Sequence, residues 1–169
     1  MVFSKLRLNS QLPATAGINI LSPLDAQIQL PDATSYQAVQ HGLLGETLQL
    51  CIQGPSLVAP FSGVCHRNDH SGSLISFRQQ NGLRVDLFFQ TPYDAGCEGI
   101  HFLIPAHSQV KAGEQLAMLD LAKLQRLGKM NCLLSIQPSN AVKAIHARTG
   151  FVNAGTDILC TLELHSSDS

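Results

Sequence analysis

The sequence predicts an all-β protein, an antiparallel β-sandwich or barrel with a duplicated topology and a few short helical turns. Apolar residues alternate with period two in segments 48–53 and 83–89, which places one set of side chains inward and the other outward. The 13 glycines and 8 prolines are spread along the 169-residue chain and separate short apolar runs, as they do in sandwiches and barrels. Similar segments also recur within the chain, which indicates paired β-units.

The recurring segments form two sets. Leu21–Ala26 resembles Val58–Gly63, because each has a small residue followed by proline near the end of an apolar run. Val110–Gly113 resembles Val152–Gly155, and each of these is a glycine turn that leads into a strand. Each half of the chain therefore contains one repeated segment, and together the repeats indicate a duplicated plan of paired β-units.

Two short helical segments are expected in the second half of the chain. The first spans 121–127, between a capping Asp120 and a terminating Gly128. The second spans 140–148 and is capped by Ser139, with apolar residues three positions apart facing inward. Both are too short to change the all-β class.

Bulk composition predicts one compact globular domain. Hydrophobic residues make up 44% of the chain and charged residues 14%, and the net charge is -1. These values argue against disorder and against nucleic-acid binding, for which a basic patch is expected. We expect a flexible N-terminal segment at 1–17, a single domain at 18–165 and a frayed tail at 166–169.

Cysteine usage and hydropathy predict a cytoplasmic protein. The five cysteines are scattered and never form C-x-x-C, which is typical of reduced thiols. No apolar run approaches ~18 residues, so no stable membrane insertion is expected. Residues 1–13 lack the apolar stretch of a signal peptide.

Several short strings along the chain resemble one known family in their order. They include an Ala-Pro dipeptide before a turn and a strand pattern after an Asn-Gly dipeptide. A Glu-Gly dipeptide and two glycine turns follow. The strings are Ile20–Ala26, Leu57–Gly63, Asn81–Phe89, Glu98–Ile100, Val110–Leu116 and Gly150–Gly155. Over residues 18–164, this order resembles the glucose-type IIA components of the bacterial sugar phosphotransferase system.

The resemblance implies an antiparallel β-sandwich with a shallow active face rimmed by apolar residues. Members of that family accept a phosphoryl group from the carrier protein HPr and pass it to a IIB domain, and some regulate other proteins. The resemblance thus implies HPr-like and IIB-like proteins, or a regulated protein, as partners, and no cofactor. The family chemistry needs two facing histidines, one as nucleophile and one to hydrogen-bond the transferred phosphoryl oxygens.

The supporting histidine of the family maps onto His70. The family usually has a hydroxyl residue two positions earlier, where this chain has Asn68. The alternative interpretation of His70 is a surface histidine in a polar turn.

The nucleophilic histidine of the family maps onto Gln90. The spacing of four residues from Gln90 to Asp94 agrees with the family, whereas a gapless count from Asn81 places Phe88 there instead. Neither residue is histidine, and the nitrogen lone pair of a carboxamide is delocalised and is no usable nucleophile. The family's glycine two positions later is Pro92, which lacks an N–H for a phosphate. The mapping predicts that phosphoryl transfer in the family manner is lost.

Two clusters of possible metal ligands allow other interpretations. Cys65, His66 and His70 are close in the sequence, as zinc ligands often are, but no second ligand pair follows at a recognised spacing. A polar hairpin without metal is therefore favoured. His101 and His107 could belong to a metalloprotease of related β-architecture, but the H-x-H pair that such enzymes need is absent.

Three functions remain open from the sequence. The first is a IIA-like regulatory protein that is not phosphorylated and binds a partner through an apolar face around His70, Gln90 and Phe89. The second is an active phosphoryl carrier that uses His70 or another histidine. The third is a β-sandwich hydrolase or small-ligand-binding protein, because a fold does not fix a function.

Overall fold

The structure is a computed structural model that describes residues 5–13, 17–31, 45–67, 74–89, 98–128, 130–137 and 140–166. This part of the chain consists of strands and one short helix. The elements are β1 (Leu6–Asn9), β2 (Gly17–Leu21), β3 (Leu24–Gln29), β4 (Glu46–Val58), β5 (Gly63–Arg67), β6 (Leu74–Arg78), β7 (Arg84–Phe89), β8 (Ile100–Phe102), β9 (His107–Val110), β10 (Gln115–Leu119), α1 (Leu121–Arg126), β11 (Asn131–Gln137), β12 (Val142–Arg148), β13 (Gly150–Val152) and β14 (Ile158–Leu164). The all-β class predicted from the sequence is confirmed.

The strands form two sheets. The smaller has the order β1-β12-β14-β2, and the larger has the order β13-β3-β4-β11-β7-β6-β5-β9, with β10 joining β4 to β8. Neighbouring strands are antiparallel in both sheets except for β1 and β12, which pair in parallel. The larger sheet curls into a half-barrel. Among the described residues, no helix has the length and apolar character needed to cross a membrane.

The core lies where the period-two alternation of the sequence predicts it. On β4 the side chains of Leu48, Leu50 and Ile52 are buried, and β7 buries its own alternating set, which ends at Phe89. Residues of both sheets join the same apolar cluster, including Ile145 of β12. Burial of this apolar surface is the main favourable contribution to folding.

The internal duplication of the sequence appears as matching hydrogen bonds. The Leu21 N–H donates to the Pro60 carbonyl at 3.0 Å, and the Val58 N–H donates to the Pro23 carbonyl at 2.9 Å. Each segment of the first set thus donates a backbone hydrogen bond to the proline carbonyl of the other segment. The predicted duplicated plan is therefore built into the backbone hydrogen bonding.

The two glycine turns of the second set hydrogen-bond to the residues that precede the same two prolines. The Gly113 N–H donates to the Ala59 carbonyl at 2.9 Å, and the Gly155 N–H donates to the Ser22 carbonyl at 2.8 Å. Both glycines have positive φ, 81° and 68°, a region that side chains with a Cβ rarely adopt. The backbone conformation of these two turns therefore requires glycine.

The helix expected after Asp120 is present as α1. The Asp120 carboxylate accepts a hydrogen bond from the Lys123 N–H at 3.0 Å, which is N-capping geometry. Gly128 has a φ of 70°, as expected for a residue that ends a helix. Leu124 is the buried residue of this helix and fixes it to the core.

The predicted helix over 140–148 is wrong, because this segment forms strand β12. Its proposed cap, Ser139, lies outside the described residues. The register between β12 and β14 shifts between Val142 and Ala144, which is the signature of a β-bulge. The bulge lets Val142 and Ile145, three positions apart, both face the core, and this spacing imitates that of a helix.

Part of the N-terminal segment expected to be flexible forms a strand. Leu6 to Asn9 make up β1, in which Leu6 is opposite Ile145 of β12. The Lys5 carbonyl also accepts a hydrogen bond from the Ile145 N–H at 2.9 Å. The domain boundaries at 18 and 165 otherwise stay a prediction.

We expect Leu50→Ala to lower the free energy of unfolding by about 2 to 5 kcal/mol, because it leaves a cavity in the middle of the larger sheet. Leu50 is fully buried and lies between Ile28 and Cys132 on the neighbouring strands. Urea denaturation measures the effect. The control Leu30→Ala removes a side chain that is 58% exposed and should change stability by less than about 0.5 kcal/mol. Equal losses in the two variants would show that β4 is not central to the core.

Candidate functional site

The four site residues predicted by resemblance, Asn68, His70, Gln90 and Asp94, lie outside the described residues. The structure does describe the strands that adjoin them in the chain. β5 ends three positions before His70, and β7 ends immediately before Gln90. The described part of this region is therefore the face of the larger sheet to which β5 and β7 belong.

One row of polar side chains crosses six neighbouring strands of the larger sheet. Side chains that are direct cross-strand partners lie on the same face of a sheet. The row runs over β9, β5, β6, β7, β11 and β4 through His107, His66, Ser76, Asp86, Ser135 and Thr47. We call the face that carries this row the polar face. It is opposite to the face through which Leu87 and Phe89 enter the core.

The middle of the polar face is buried. Asp86 is 3% exposed and accepts hydrogen bonds from Nε of Arg84, at 3.0 Å to one carboxylate oxygen and 3.1 Å to the other. Its charge is therefore compensated by an ion pair on the same strand. Among the residues that the structure describes, the Ser135 hydroxyl has no hydrogen-bond partner, although Ser135 is only 1% exposed. A buried hydroxyl without a partner costs about 1–3 kcal/mol, so stability alone does not account for this row.

An apolar row lies next to the polar row on the same face. Phe88 is opposite Leu74 on one side and Leu133 on the other. Phe88 and Leu74 are partly exposed, whereas Leu133 is buried. The sequence placed Phe89 on the binding face, but Phe89 is fully buried in the core. The exposed aromatic ring of β7 is therefore Phe88, because neighbouring residues of a strand point to opposite faces.

Two histidines face each other at the edge of the polar face. His66 of β5 and His107 of β9 are direct cross-strand partners, and both are exposed. Their ring centroids are 5.7 Å apart, with an angle of 64° between the ring planes. The sequence did not predict this pair, because the local spacing associates His66 with Cys65 and His107 with His101. Only the register between β5 and β9 reveals it, and no pattern in the sequence encodes that register.

Cys65 cannot share a metal ion with His66. Its side chain points into the core on the opposite side of β5, and burial raises the pKa of the Cys65 thiol to about 11 despite the positive charge of nearby Arg67. His101 is likewise apart from the pair, opposite Met118 between β8 and β10. Within the described part of the chain, no group of three or more His, Cys, Asp or Glu side chains is placed to hold a metal ion.

A shallow groove of about 730 Å³ continues the polar face at one end. Its lining is rich in amides and contains one charged side chain, Arg78. The lining residues are Ser62, Gly63, Val64, Arg78, Gln79, Gln80, Asn81, Gln109 and Val110. None of these is a carboxylate or a histidine, so the groove has no general acid or base for hydrolysis.

The described strands and their duplicated turns form the sandwich of the glucose-type IIA fold. Among solved structures, the chain is similar to glucose permease IIA from Mycoplasma capricolum, with a TM-score of 0.71 and 15% sequence identity. The match covers 89% of this chain and 98% of that one. No family model matches the sequence, and no curated protein matches it either. The resemblance found in the sequence is thus confirmed at the level of the fold.

We expect Cys65 to resist alkylation by iodoacetamide at pH 8 in the native protein. With a thiol pKa of about 11, roughly one molecule in a thousand carries the reactive thiolate at that pH, and the side chain is buried as well. Peptide mass spectrometry before and after unfolding in urea measures the labelling. Cys51, which is partly exposed, is the internal control and should be labelled in the native state. Native labelling of Cys65 at the rate of Cys51 would contradict the placement of this side chain.

Proposed function

We propose that this protein is a glucose-type IIA-like member of the sugar phosphotransferase system that does not carry a phosphoryl group and acts in the cytoplasm by binding a partner protein. The observation that carries the proposal is the fold match over nearly the whole of both chains. The sequence resemblance, which maps the family's nucleophile onto Gln90, supports it. The fold supports the family role, and the substitution removes its central chemical step.

Phosphoryl transfer in this family depends on one nitrogen atom. Phosphoryl transfer to a histidine forms a bond between a neutral imidazole nitrogen and phosphorus. The carboxamide of Gln90 can donate and accept hydrogen bonds, but its nitrogen has no free lone pair for such a bond. A protein with glutamine there can keep the docking surface of a phosphoryl carrier without the transfer step.

The polar face supports a docking role next to this position. Phe88 and Leu74 form a partly exposed apolar row beside polar groups, and apolar surface with a polar rim is typical of protein contacts. Aromatic residues, phenylalanine among them, are enriched at the cores of protein interfaces. HPr-like and IIB-like proteins, or a regulated protein, are the partners that the family resemblance suggests.

A second candidate function is an active phosphoryl carrier that uses another histidine. One specific observation favours it, because His66 and His107 are two facing imidazoles on the same sheet face. This pair would supply the two roles of the family chemistry, nucleophile and hydrogen-bond donor, from different positions. The hydrolase alternative has no comparable support on the polar face, since the groove that continues this face lacks acid and base groups.

We expect wild-type protein to remain unlabelled when it is incubated with HPr, the phosphate-donating enzyme and phosphoenolpyruvate. Gln90→His should gain a stoichiometric, acid-labile phosphohistidine, because it restores the imidazole. Intact-mass spectrometry before and after acid treatment measures the phosphate. The matched control Gln80→His changes an exposed glutamine in the groove and should stay unlabelled.

Each remaining outcome of this assay separates the candidates. Stoichiometric phosphate on the wild type contradicts the proposal, and its loss in His66→Ala or His107→Ala would establish the second candidate. An unlabelled Gln90→His variant would contradict the mapping of the nucleophile onto that position.

Phe88→Ala is expected to weaken binding of HPr by about fivefold or more, since truncating a central side chain that contributes strongly to an interface costs over about 1 kcal/mol. Titration of isotope-labelled HPr followed by NMR measures the dissociation constant. The control Phe151→Ala truncates an exposed ring on β13 and should bind as the wild type does. Thermal unfolding of both variants checks that they are folded. Equal binding by both variants would exclude docking at Phe88.

A further inference from the structure

We propose that His66 and His107 form a binding site for a divalent transition-metal ion, of the class of Zn²⁺, Ni²⁺ and Cu²⁺. The site lies at the edge of the larger sheet, and water completes the coordination of the ion. It involves neither of the positions to which the family resemblance assigns phosphoryl chemistry, His70 and Gln90. An ion would bind there whether or not the protein has the function proposed above.

The register of the two strands brings the imidazoles together. The Arg67 N–H donates to the Ala106 carbonyl at 2.9 Å, so this neighbouring pair is hydrogen-bonded. Hydrogen-bonded and non-hydrogen-bonded pairs alternate along antiparallel strands, and His66 and His107 are therefore a non-hydrogen-bonded pair. Side chains approach most closely at such pairs, with Cβ atoms about 4.5–5.5 Å apart.

The side chains can reach chelating geometry without a change in the backbone. An ion held by two imidazoles has metal–nitrogen distances of about 2.0–2.1 Å, so the two nitrogens lie about 3 Å apart. The rings already have centroids 5.7 Å apart. Both side chains are exposed, and rotation between staggered rotamers is sufficient for the remaining approach.

The surroundings determine which ions fit. The Cys65 thiol is on the opposite side of β5, and the guanidinium of Arg67 lies on that side too, 4.1 Å from the centre of the Phe102 ring. Asp86 is two strands away from His66, about 10 Å at the usual strand spacing, and is paired with Arg84. The described ligands are thus two imidazole nitrogens, which favour Cu²⁺, Ni²⁺ and Zn²⁺ over ions that prefer oxygen, such as Mg²⁺.

The position of β9 leaves the site accessible. β9 is the last strand in the order of the larger sheet, so one side of the histidine pair faces no further strand of that path. Access of this kind allows hydrated ions to enter and water to occupy the positions that the two histidines leave open.

The test is a calorimetric titration of the full, tag-free chain with NiCl₂ and ZnCl₂ in a buffer that does not coordinate metals. We expect one saturable site per chain for each ion and no binding of MgCl₂. His66→Ala and His107→Ala should each weaken binding by about tenfold or more, because each removes one of two ligands that act together. The matched control His101→Ala, which removes an exposed histidine opposite Met118, should bind as the wild type does.

A second measurement locates the ion without any substitution. Small amounts of paramagnetic Cu²⁺ should broaden the backbone amide signals of β5 and β9 first in NMR spectra of the wild type. Affinity that is unchanged in both alanine variants, or broadening centred on another part of the chain, would overturn the proposal. Either result would mean that the ions bind other histidines adventitiously. Unfolding temperatures without metal check that the variants keep the wild-type fold.

Discussion

The long strand β4 is the constraint on which the rest of the structure depends. It has 13 residues and hydrogen-bonds β3, β11 and β10 along different parts of its length. Its register with β11 aligns Thr47 with Ser135, and β11 in turn aligns Ser135 with Asp86 of β7. A shift of one residue in β4 would turn its apolar set away from the core, so the register is strongly specified by burial. The alignment of side chains across the polar face therefore follows from this register.

The polar face lowers the stability of the protein, and the fold does not require polar residues at these positions. An apolar residue in place of Ser135 would avoid an unsatisfied buried hydroxyl, and replacing a buried ion pair by apolar residues is often neutral or stabilising. The opposite face of the same strands shows that apolar residues fit this sheet well, since Leu87 and Leu134 are fully buried there. Polar groups retained against their cost in stability are common at functional faces.

The sequence predicted the features that local chemistry determines. Period-two alternation identified the inward side chains of β4 and β7, and the Asp120 cap with Gly128 identified α1. The prediction failed at β12, where a bulge imitated helical spacing. It also missed His66 and His107, because their proximity depends on which strands become neighbours and in what register. That information comes from the packing of the whole sandwich and is not present in either segment alone.

The distances on the polar face have a consequence for binding. His66 is on β5 and Phe88 on β7, two strands apart, which corresponds to about 10 Å between them along the hydrogen-bonding direction. A standard protein interface covers about 800 Å² on each partner, a patch much wider than this separation. A partner centred on Phe88 would therefore cover the histidine pair as well. An ion at that pair and a protein on that face cannot then bind independently, and by thermodynamic linkage each would change the affinity for the other by the same factor.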